Sequence, residues 1–236
     1  GDCCGRLRSA PGQRRRHCPG RQCLRAGWSA CMSFPHTPIT TELILGGQKS
    51  GKSRRAELLA RDWLAQSDEH RAVLIATGQA WDGEMRERIA RHQRDRAERV
   101  PGLQTVEEPH DVAAAMAQCS TAQTLVVVDC LTLWLTHWTM PVGAETMSFE
   151  RKRALALDWK AQAALFLEAV RQSPGPVVLV GNEIGLGVIP MGREVRAFVD
   201  ALGTLNQQVA QVCPRVTLMA AGLPLRLKET LKESVR

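Results

Sequence analysis

From residue 41 onward, short runs of apolar residues alternate with longer amphipathic segments. The apolar runs are 42–46, 72–76, 124–129, 176–181 and 215–220. They are continuously apolar rather than alternating, which is typical of strands buried on both faces of a sheet. The segments with helical periodicity between them are 52–66, 82–98, 109–119, 148–172 and 193–212. This alternation predicts an α/β fold, with a mostly parallel central sheet flanked by helices.

The segment 193–212 shows the helical period most clearly, because its charged residues lie off one apolar stripe. The stripe consists of Val195, Phe198, Val199, Leu202, Leu205, Val209 and Val212. The break at 139–147 is interpreted as a loop within one domain.

Composition narrows the class of protein. The chain has 236 residues, of which 44% are hydrophobic and 23% charged, so one α/β domain with a packed core is feasible. No run approaches the ~18 apolar residues that a membrane helix needs, so we expect a soluble protein without a membrane span.

The net charge of +7 lies mostly in residues 1–31, where seven arginines accompany a single acidic residue. We therefore expect residues 1–40 to be a disordered basic extension and 41–236 to be the folded domain. Met32 begins a natural lead into the first strand, so residues 1–31 are interpreted as an upstream start-site artefact. We expect no nucleic-acid partner, although a basic arm that binds nucleic acid remains the alternative.

Five of the eight cysteines also lie in residues 1–31, at spacings that match no CxxC zinc pattern. Cys119, Cys130 and Cys213 occur singly in the body of the chain. We expect them to be reduced thiols in or near the core, as in a cytoplasmic protein.

The first strand runs directly into a phosphate-binding motif. Residues 46–53 match G-x-x-x-x-G-K-[ST] without a mismatch, between a predicted strand and a predicted helix. In such a loop, backbone N–H groups converge on phosphate, Lys52 supplies positive charge and Ser53 offers a hydroxyl to Mg²⁺. The candidate nucleotide-binding residues are Gly46, Gly47, Gln48, Lys49, Ser50, Gly51, Lys52 and Ser53. An ordinary strand–helix turn is the alternative.

Asp129 ends the apolar run 124–129, at the sheet edge where open α/β sheets bind ligands. Its carboxylate is a candidate Mg²⁺ ligand alongside Ser53, directly or through water.

His92 lies on the helix predicted over 82–98, whose start Asp82 is suited to cap. The surrounding arginines are Arg88, Arg91, Arg94 and Arg96. Their charge suits polyphosphate binding and favours the neutral imidazole, which can attack phosphorus. A simple surface histidine is the alternative.

The segment 177–210 contains a further set of polar and glycine residues. Asn182 and Glu183 follow a buried strand, so their side chains are expected at the ligand edge. Gly185 and Gly187 allow a tight turn, and the arginines at 193 and 196 can reach phosphate or a neighbouring subunit. A plain βα loop with solvated arginines remains the alternative.

Together these stretches resemble the bifunctional adenosylcobinamide kinase/adenosylcobinamide-phosphate guanylyltransferase family of cobalamin biosynthesis. The similarity covers about residues 42–222. The matching stretches are "LILGGQKSGKSRRAE", "IATGQAWDGEMRERIARH", "TVEEP", "LVVVDCLTLWLTH" and "VGNEIGLGVIPMGREVRAFVDALGTLNQQVA". The stretch after His92 departs from the family pattern, because Ala97 follows Arg96 where an Arg-Pro pair is expected.

The resemblance implies a single P-loop NTPase domain of the RecA-like type and two reactions on one corrinoid substrate. ATP or GTP would phosphorylate adenosylcobinamide, and GTP would then transfer GMP to that phosphate through a GMP-histidine at His92. Lys52 and His92 would be catalytic, with Mg²⁺ as the cofactor. The nucleotide contacts implied beyond the phosphate loop are Ala76, Thr77, Gly78, Gln93, Arg94, Asp95, Arg96, Glu107 and Asp129. The resemblance also implies a homo-oligomer, trimers being the family form.

Three other functions remain open at this point. The chain could be a P-loop kinase of a small alcohol with His92 as a bystander, a nucleotide-binding regulator without catalysis, or a nucleic-acid binder through its arginine-rich tail.

Overall fold

The computed structural model describes residues 39–80, 83–141, 143 and 146–230, apart from the side chains of Met85 and Arg88. Within these residues, seven strands form one sheet: β1 (Glu42–Gly46), β2 (Arg71–Ala76), β3 (Leu103–Glu107), β4 (Thr124–Asp129), β5 (Val177–Val180), β6 (Arg215–Ala220) and β7 (Leu223–Glu229). The same residues contain six α-helices: α1 (Lys52–Leu64), α2 (Gly83–Arg99), α3 (Val112–Cys119), α4 (Leu131–Thr139), α5 (Phe149–Gln172) and α6 (Arg193–Val212).

The sheet has the strand order β3-β2-β4-β5-β1-β6-β7. The first six strands are parallel, and β7 pairs antiparallel with β6. The predicted α/β fold with a mostly parallel sheet is thereby confirmed. The carboxyl ends of the parallel strands share one edge, which brings the ends of β1, β2, β4 and β5 together.

Two hydrophobic layers cover the sheet. On one face, Trp134 of α4, Phe166 of α5 and Val209 of α6 pack against strand residues such as Leu43 and Val126. On the other face, α1 contributes small alanines to a second core cluster. Burying an aromatic or aliphatic side chain of this size contributes about 1.5–3 kcal/mol, so these layers hold the strand ends in place.

The strands predicted at 42–46, 124–129 and 215–220 are confirmed with the same bounds, and the helix at 193–212 is confirmed as α6. Its apolar stripe is only partly buried. Leu202, Leu205 and Val209 lie in the core, whereas Val195 on the first turn of α6 is 43% exposed. The helix predicted from residue 109 begins at Val112, where the Asp111 side chain accepts a hydrogen bond from the Ala114 N–H.

Three elements have no counterpart in the sequence prediction. β3 and β7 are edge strands with mostly exposed residues, so they lack the continuous apolar run of a buried strand. α4 follows β4 after a single residue, so its apolar residues extend the apolar run of the strand.

α2 continues through Ala97 to Arg99, because alanine keeps the N–H that a proline would lack.

Several expectations fall outside this description. Those for the basic extension concern residues 1–38, and the proposed cap Asp82 likewise lies outside the described residues. Among the described helices, none is long and apolar enough to cross a membrane.

Candidate nucleotide-binding site at the carboxyl edge of the sheet

The loop between β1 and α1 has a backbone that only particular residues allow. Gly46 has φ +153°, and a Cβ there would lie 2.5 Å from the Met219 carbonyl oxygen of β6. Gly51 has φ +100° and packs against Gly222, whose N–H donates to the Ser50 carbonyl at 3.0 Å. The turn between β6 and β7 therefore contacts and supports the phosphate loop. No local sequence pattern predicts this contact.

Lys52, the first residue of α1, lies inside this loop. Its ammonium donates to the Gly47 carbonyl at 2.6 Å, and the residue is 8% exposed. Burial lowers the pKa of Lys52, while Cys130 and Asp129 nearby act to raise it. The sheet edge thus holds a partly desolvated cation that a phosphate group would stabilise.

Most of the remaining loop residues are exposed to solvent. Gly47, Gln48 and Lys49 are exposed, whereas Ser50 is buried. Lys49 has a positive φ of 55° and the Ser50 N–H donates to the Gly47 carbonyl at 3.3 Å, so the loop turns back on itself. Ser53 follows Lys52 on the first turn of α1 and is half-buried.

Asp129 ends β4 at the same edge, two strands from β1. Its position is fixed by Thr77, which follows β2 and is fully buried. The Thr77 hydroxyl donates to the Cys130 carbonyl at 2.7 Å and accepts from the Cys130 N–H at 2.9 Å. The Thr77 N–H donates to the Asp129 carbonyl at 3.1 Å. Thr77 therefore locks the ends of β2 and β4 together.

A buried histidine also binds Thr77. His137 of α4 lies 2.7 Å from the Thr77 carbonyl through Nε2. Burial lowers the pKa of His137, the bond to Thr77 raises it, and His110 lowers it further. The polar groups of Thr77 are thus used inside the protein, and its predicted nucleotide contact stays a prediction. Ala76 and Gly78 on either side are half-buried at the same edge.

At the end of β5, Glu183 donates its backbone N–H to the Gly46 carbonyl at 3.1 Å. β5 lies between β4 and β1, so Glu183 stands between Asp129 and the phosphate loop in the strand order. Asn182 and Glu183 follow β5 at the carboxyl edge of the sheet, and the ligand contact expected of their side chains stays a prediction.

His92 is exposed on α2 and makes no hydrogen bond or ion pair with another described residue. Among the described side chains of α2, those that hydrogen-bond or ion-pair with the body lie in the second half of the helix. Gln93 donates to Glu107 at 3.0 Å, Arg96 reaches the Thr105 hydroxyl at 3.4 Å, and Arg99 pairs with the buried Glu57 at 3.2 Å.

The arginines predicted to surround His92 differ in exposure. Arg91 and Arg94 are exposed, but Arg96 is only 8% exposed and faces β3. The Arg96 guanidinium contacts β3, and its place in the arginine group around His92 stays a prediction. Asp95 pairs with Arg99 at 3.2 Å on the same helix. The nucleotide contacts predicted for Gln93, Arg94, Asp95, Arg96 and Glu107 stay predictions.

Gln93 reaches Glu107 at the carboxyl end of β3, so His92 lies at the same sheet edge as the phosphate loop. β3 is four strand positions from β1, which corresponds to about 19 Å at the usual strand spacing. α2 and the phosphate loop thus border one edge, beside strands that are four positions apart.

The oxygen groups at this edge fit Mg²⁺. Within the described residues no group of three or more His, Cys, Asp or Glu side chains could enclose a metal ion. Mg²⁺ does not need such a group, because it binds through one or two protein oxygens together with phosphates and water. The Asp129 carboxylate, close enough to Lys52 to affect its pKa, and the Ser53 hydroxyl supply suitable oxygens.

Comparison with known proteins agrees with this geometry. A family model described as "Cobinamide kinase / cobinamide phosphate guanyltransferase" matches residues 42–227, which include every strand except the last residues of β7. The chain belongs to this family. Both its activities, kinase and guanylyltransferase, are thereby supported for this enzyme of cobalamin biosynthesis, and nucleotide substrates follow from them.

Three curated relatives are similar over nearly their whole length. The "Bifunctional adenosylcobalamin biosynthesis protein CobP" of Pseudomonas aeruginosa is 44% identical over 188 residues, covering 79% of this chain and 96% of that protein. Proteins named "Bifunctional adenosylcobalamin biosynthesis protein CobU" are 32% identical in Escherichia coli and 30% identical in Salmonella typhimurium. Each of these two matches covers 79% of this chain and 98% of the relative.

Proposed function

We propose that the protein phosphorylates adenosylcobinamide with ATP or GTP and then transfers GMP from GTP to the new phosphate. The products of the second step are adenosylcobinamide-GDP and pyrophosphate. The observation that carries this proposal is the pairing of two reactive groups at one sheet edge. A phosphate loop with a partly desolvated Lys52 follows β1, and the exposed imidazole of His92 lies on α2, which contacts the end of β3.

In the first step, the loop amides and Lys52 hold the triphosphate, and the acceptor hydroxyl attacks the γ-phosphorus. Ser53 and Asp129 would hold Mg²⁺, which when bound neutralises charge on the phosphate oxygens. The leaving group is the nucleoside diphosphate.

In the second step, a ring nitrogen of His92 forms a bond to the α-phosphorus of GTP. The bond to the β-phosphate oxygen breaks, and pyrophosphate leaves with its electron pair. An oxygen of the acceptor phosphate then attacks the same phosphorus, which breaks the P–N bond and restores the imidazole.

The strand spacing adds a requirement for this second step. β3, the strand that α2 contacts through Gln93 and Arg96, lies about 19 Å from β1 at the usual strand spacing, so we propose that α2 moves towards the phosphate loop when GTP binds. Among the described side chains of α2, the hydrogen bonds and ion pairs to the body lie in its second half, at Gln93, Arg96 and Arg99, while Ile89 of the first half lies beside Gly78. The oligomeric state and the cytoplasmic location expected from the sequence stay predictions.

Incubation with GTP labelled at the α-phosphate tests the proposal. We expect an acid-labile, alkali-stable label on wild-type protein that is absent in His92→Ala and is discharged by adenosylcobinamide phosphate. His70→Gln is the matched control, because His70 stacks on Trp63 just before β2, at the opposite sheet edge. Phosphorylation of adenosylcobinamide without any label on the protein would favour a kinase in which His92 takes no part.

A further inference from the structure

Neither step above uses the carboxylate of Glu183, although the backbone of this residue bonds to the phosphate loop. β5 and β6 are the two strands that flank β1, and of these β5 is the one followed by an acidic residue. The backbone bond from Glu183 to the Gly46 carbonyl fixes this residue against the first residue of the loop. Its distance from the loop is therefore set by the sheet rather than by a flexible connection.

The side chain of Glu183 is oriented by two donors. Its Oε1 accepts from the Gly185 N–H at 3.0 Å, and its Oε2 accepts from the Asn206 amide at 3.4 Å. Asn206 is 4% exposed and also donates to the Asn182 carbonyl at 3.0 Å, so its own position is fixed. A carboxylate has about four lone-pair sites, so two donors leave it able to accept a further proton.

The other carboxylates of this edge have different partners. Asp129 stands close enough to Lys52 to affect its pKa, and Glu107 accepts a hydrogen bond from Gln93. Glu108 accepts from the N–H groups of His110 and Asp111 before α3. In the described part of the edge, Glu183 is thus the acidic side chain beside the loop that carries no cationic partner.

Glu183 also borders an open groove of about 900 Å³. The groove runs between the segment 184–190 and α6, and its lining combines exposed aliphatic residues such as Leu186 and Val188 with Arg196 and Gln207. Its size is at the upper end of small-molecule sites, so it leaves room for a bulky acceptor to approach Glu183.

We propose that Glu183 is the general base of the phosphoryl-transfer step. As the acceptor hydroxyl oxygen bonds to the γ-phosphorus, its proton passes to the Glu183 carboxylate. The bond between the γ-phosphorus and the bridging oxygen breaks, and the nucleoside diphosphate leaves with the electron pair. Glu183 afterwards releases the proton to water. This inference rests on the kinase step of the proposed function.

Glu183→Gln tests it, because the amide oxygen still accepts from Gly185 N–H but cannot take a proton. We expect kcat for adenosylcobinamide phosphorylation to fall by about 10²–10⁴, the usual contribution of a general base. The KM for adenosylcobinamide should stay near the wild-type value, because the base acts only in the transition state. The affinity for a fluorescent ATP analogue and the labelling of His92 by GTP should stay at wild-type values, because neither involves an acceptor hydroxyl. Glu194→Gln, on the exposed first turn of α6, is the matched control and should leave all four measurements unchanged.

Three results would overturn the role of Glu183. The first is a wild-type kcat in Glu183→Gln. The second is recovery of activity at raised Mg²⁺, which would indicate that Glu183 is a metal ligand. The third is a parallel loss of ATP affinity, which would indicate a structural role. Wild-type protein that fails to phosphorylate adenosylcobinamide would instead overturn the proposed function itself, and the base with it.

Discussion

The side-chain amide of Gln93 donates a hydrogen bond of 3.0 Å to the carboxylate of Glu107, and this bond joins α2 to the end of β3. Both residues were predicted as nucleotide contacts, yet here they bind each other. An exposed hydrogen bond of this kind contributes only about 0.5–1.5 kcal/mol, so a bound nucleotide could replace it. It therefore behaves as a weak attachment between the helix that carries His92 and the sheet.

Gln93→Glu should weaken this attachment. Two carboxylates would then face each other across α2 and β3, and like charges at this distance repel. We expect faster hydrogen exchange of the α2 amides in nucleotide-free protein at pH 7, because the repulsion lets α2 open more often. Mass spectrometry of peptides covering 83–99 measures the effect.

Gln104→Glu provides the control for this charge change. Gln104 is exposed on β3 and makes no hydrogen bond to α2 within the described residues. Its substitution should leave α2 exchange unchanged. Equal exchange in wild type and Gln93→Glu would contradict the proposed attachment.

Thr77 and Cys130 provide a second testable relationship, because one hydroxyl serves both the N–H and the carbonyl of Cys130. Thr77→Val keeps the shape of the side chain but leaves the buried Cys130 N–H without its partner. We expect the free energy of unfolding to fall by about 1–3 kcal/mol, measured by urea denaturation. Thr136→Val is the control, because its hydroxyl bonds within α4 to the Thr132 carbonyl and its loss leaves no N–H unpaired. Equal losses in the two variants would argue against the lock.

The sequence predicts those parts of the fold that depend on local pattern. β1, β4 and β6 are recognisable because both of their faces are buried, which requires continuous apolar residues. β7 escapes recognition because Leu223, Leu225 and Leu227 alternate with polar or proline residues and are exposed at the sheet edge. Val195 shows the opposite case. Helical periodicity predicts that it lies on an apolar stripe, but not how much of that stripe a neighbouring helix covers.

The same distinction holds for the site. The phosphate loop is predictable because its chemistry lies in eight consecutive residues. The bonds from Thr77 to Cys130 and from Asn206 to Glu183 join residues far apart in sequence, and a single chain gives no signal for them. The burial of Arg96 is equally hidden from the sequence. Four arginines lie near His92 along the chain, but the contact between α2 and β3 buries this one.

The phosphate loop offers a matched pair of glycines. Gly46→Ala should lower the free energy of unfolding by at least about 2 kcal/mol, because alanine is strained at this positive φ and its Cβ would strike the Met219 carbonyl. Gly47→Ala should cost far less, because a Cβ there meets nothing within 4 Å. Thermal and urea unfolding without nucleotide measure both. Similar stabilities of the two variants would show that the loop can relax away from β6.

Cys130 lies next to Asp129, and its reactivity reports whether this edge is closed to water. Burial, followed by the charge of Asp129, raises the pKa of Cys130 to about 12. Only about one thiol in ten thousand is then ionised at pH 8, and the thiolate is the reactive form. We expect iodoacetamide at pH 8 to leave Cys130 of native protein unmodified while the half-buried Cys119 reacts faster, with peptide mass spectrometry separating the two. Denatured protein, in which both thiols should react alike, is the control. Rapid modification of native Cys130 would mean that the β4 end opens readily, contrary to the lock that Thr77 forms with it.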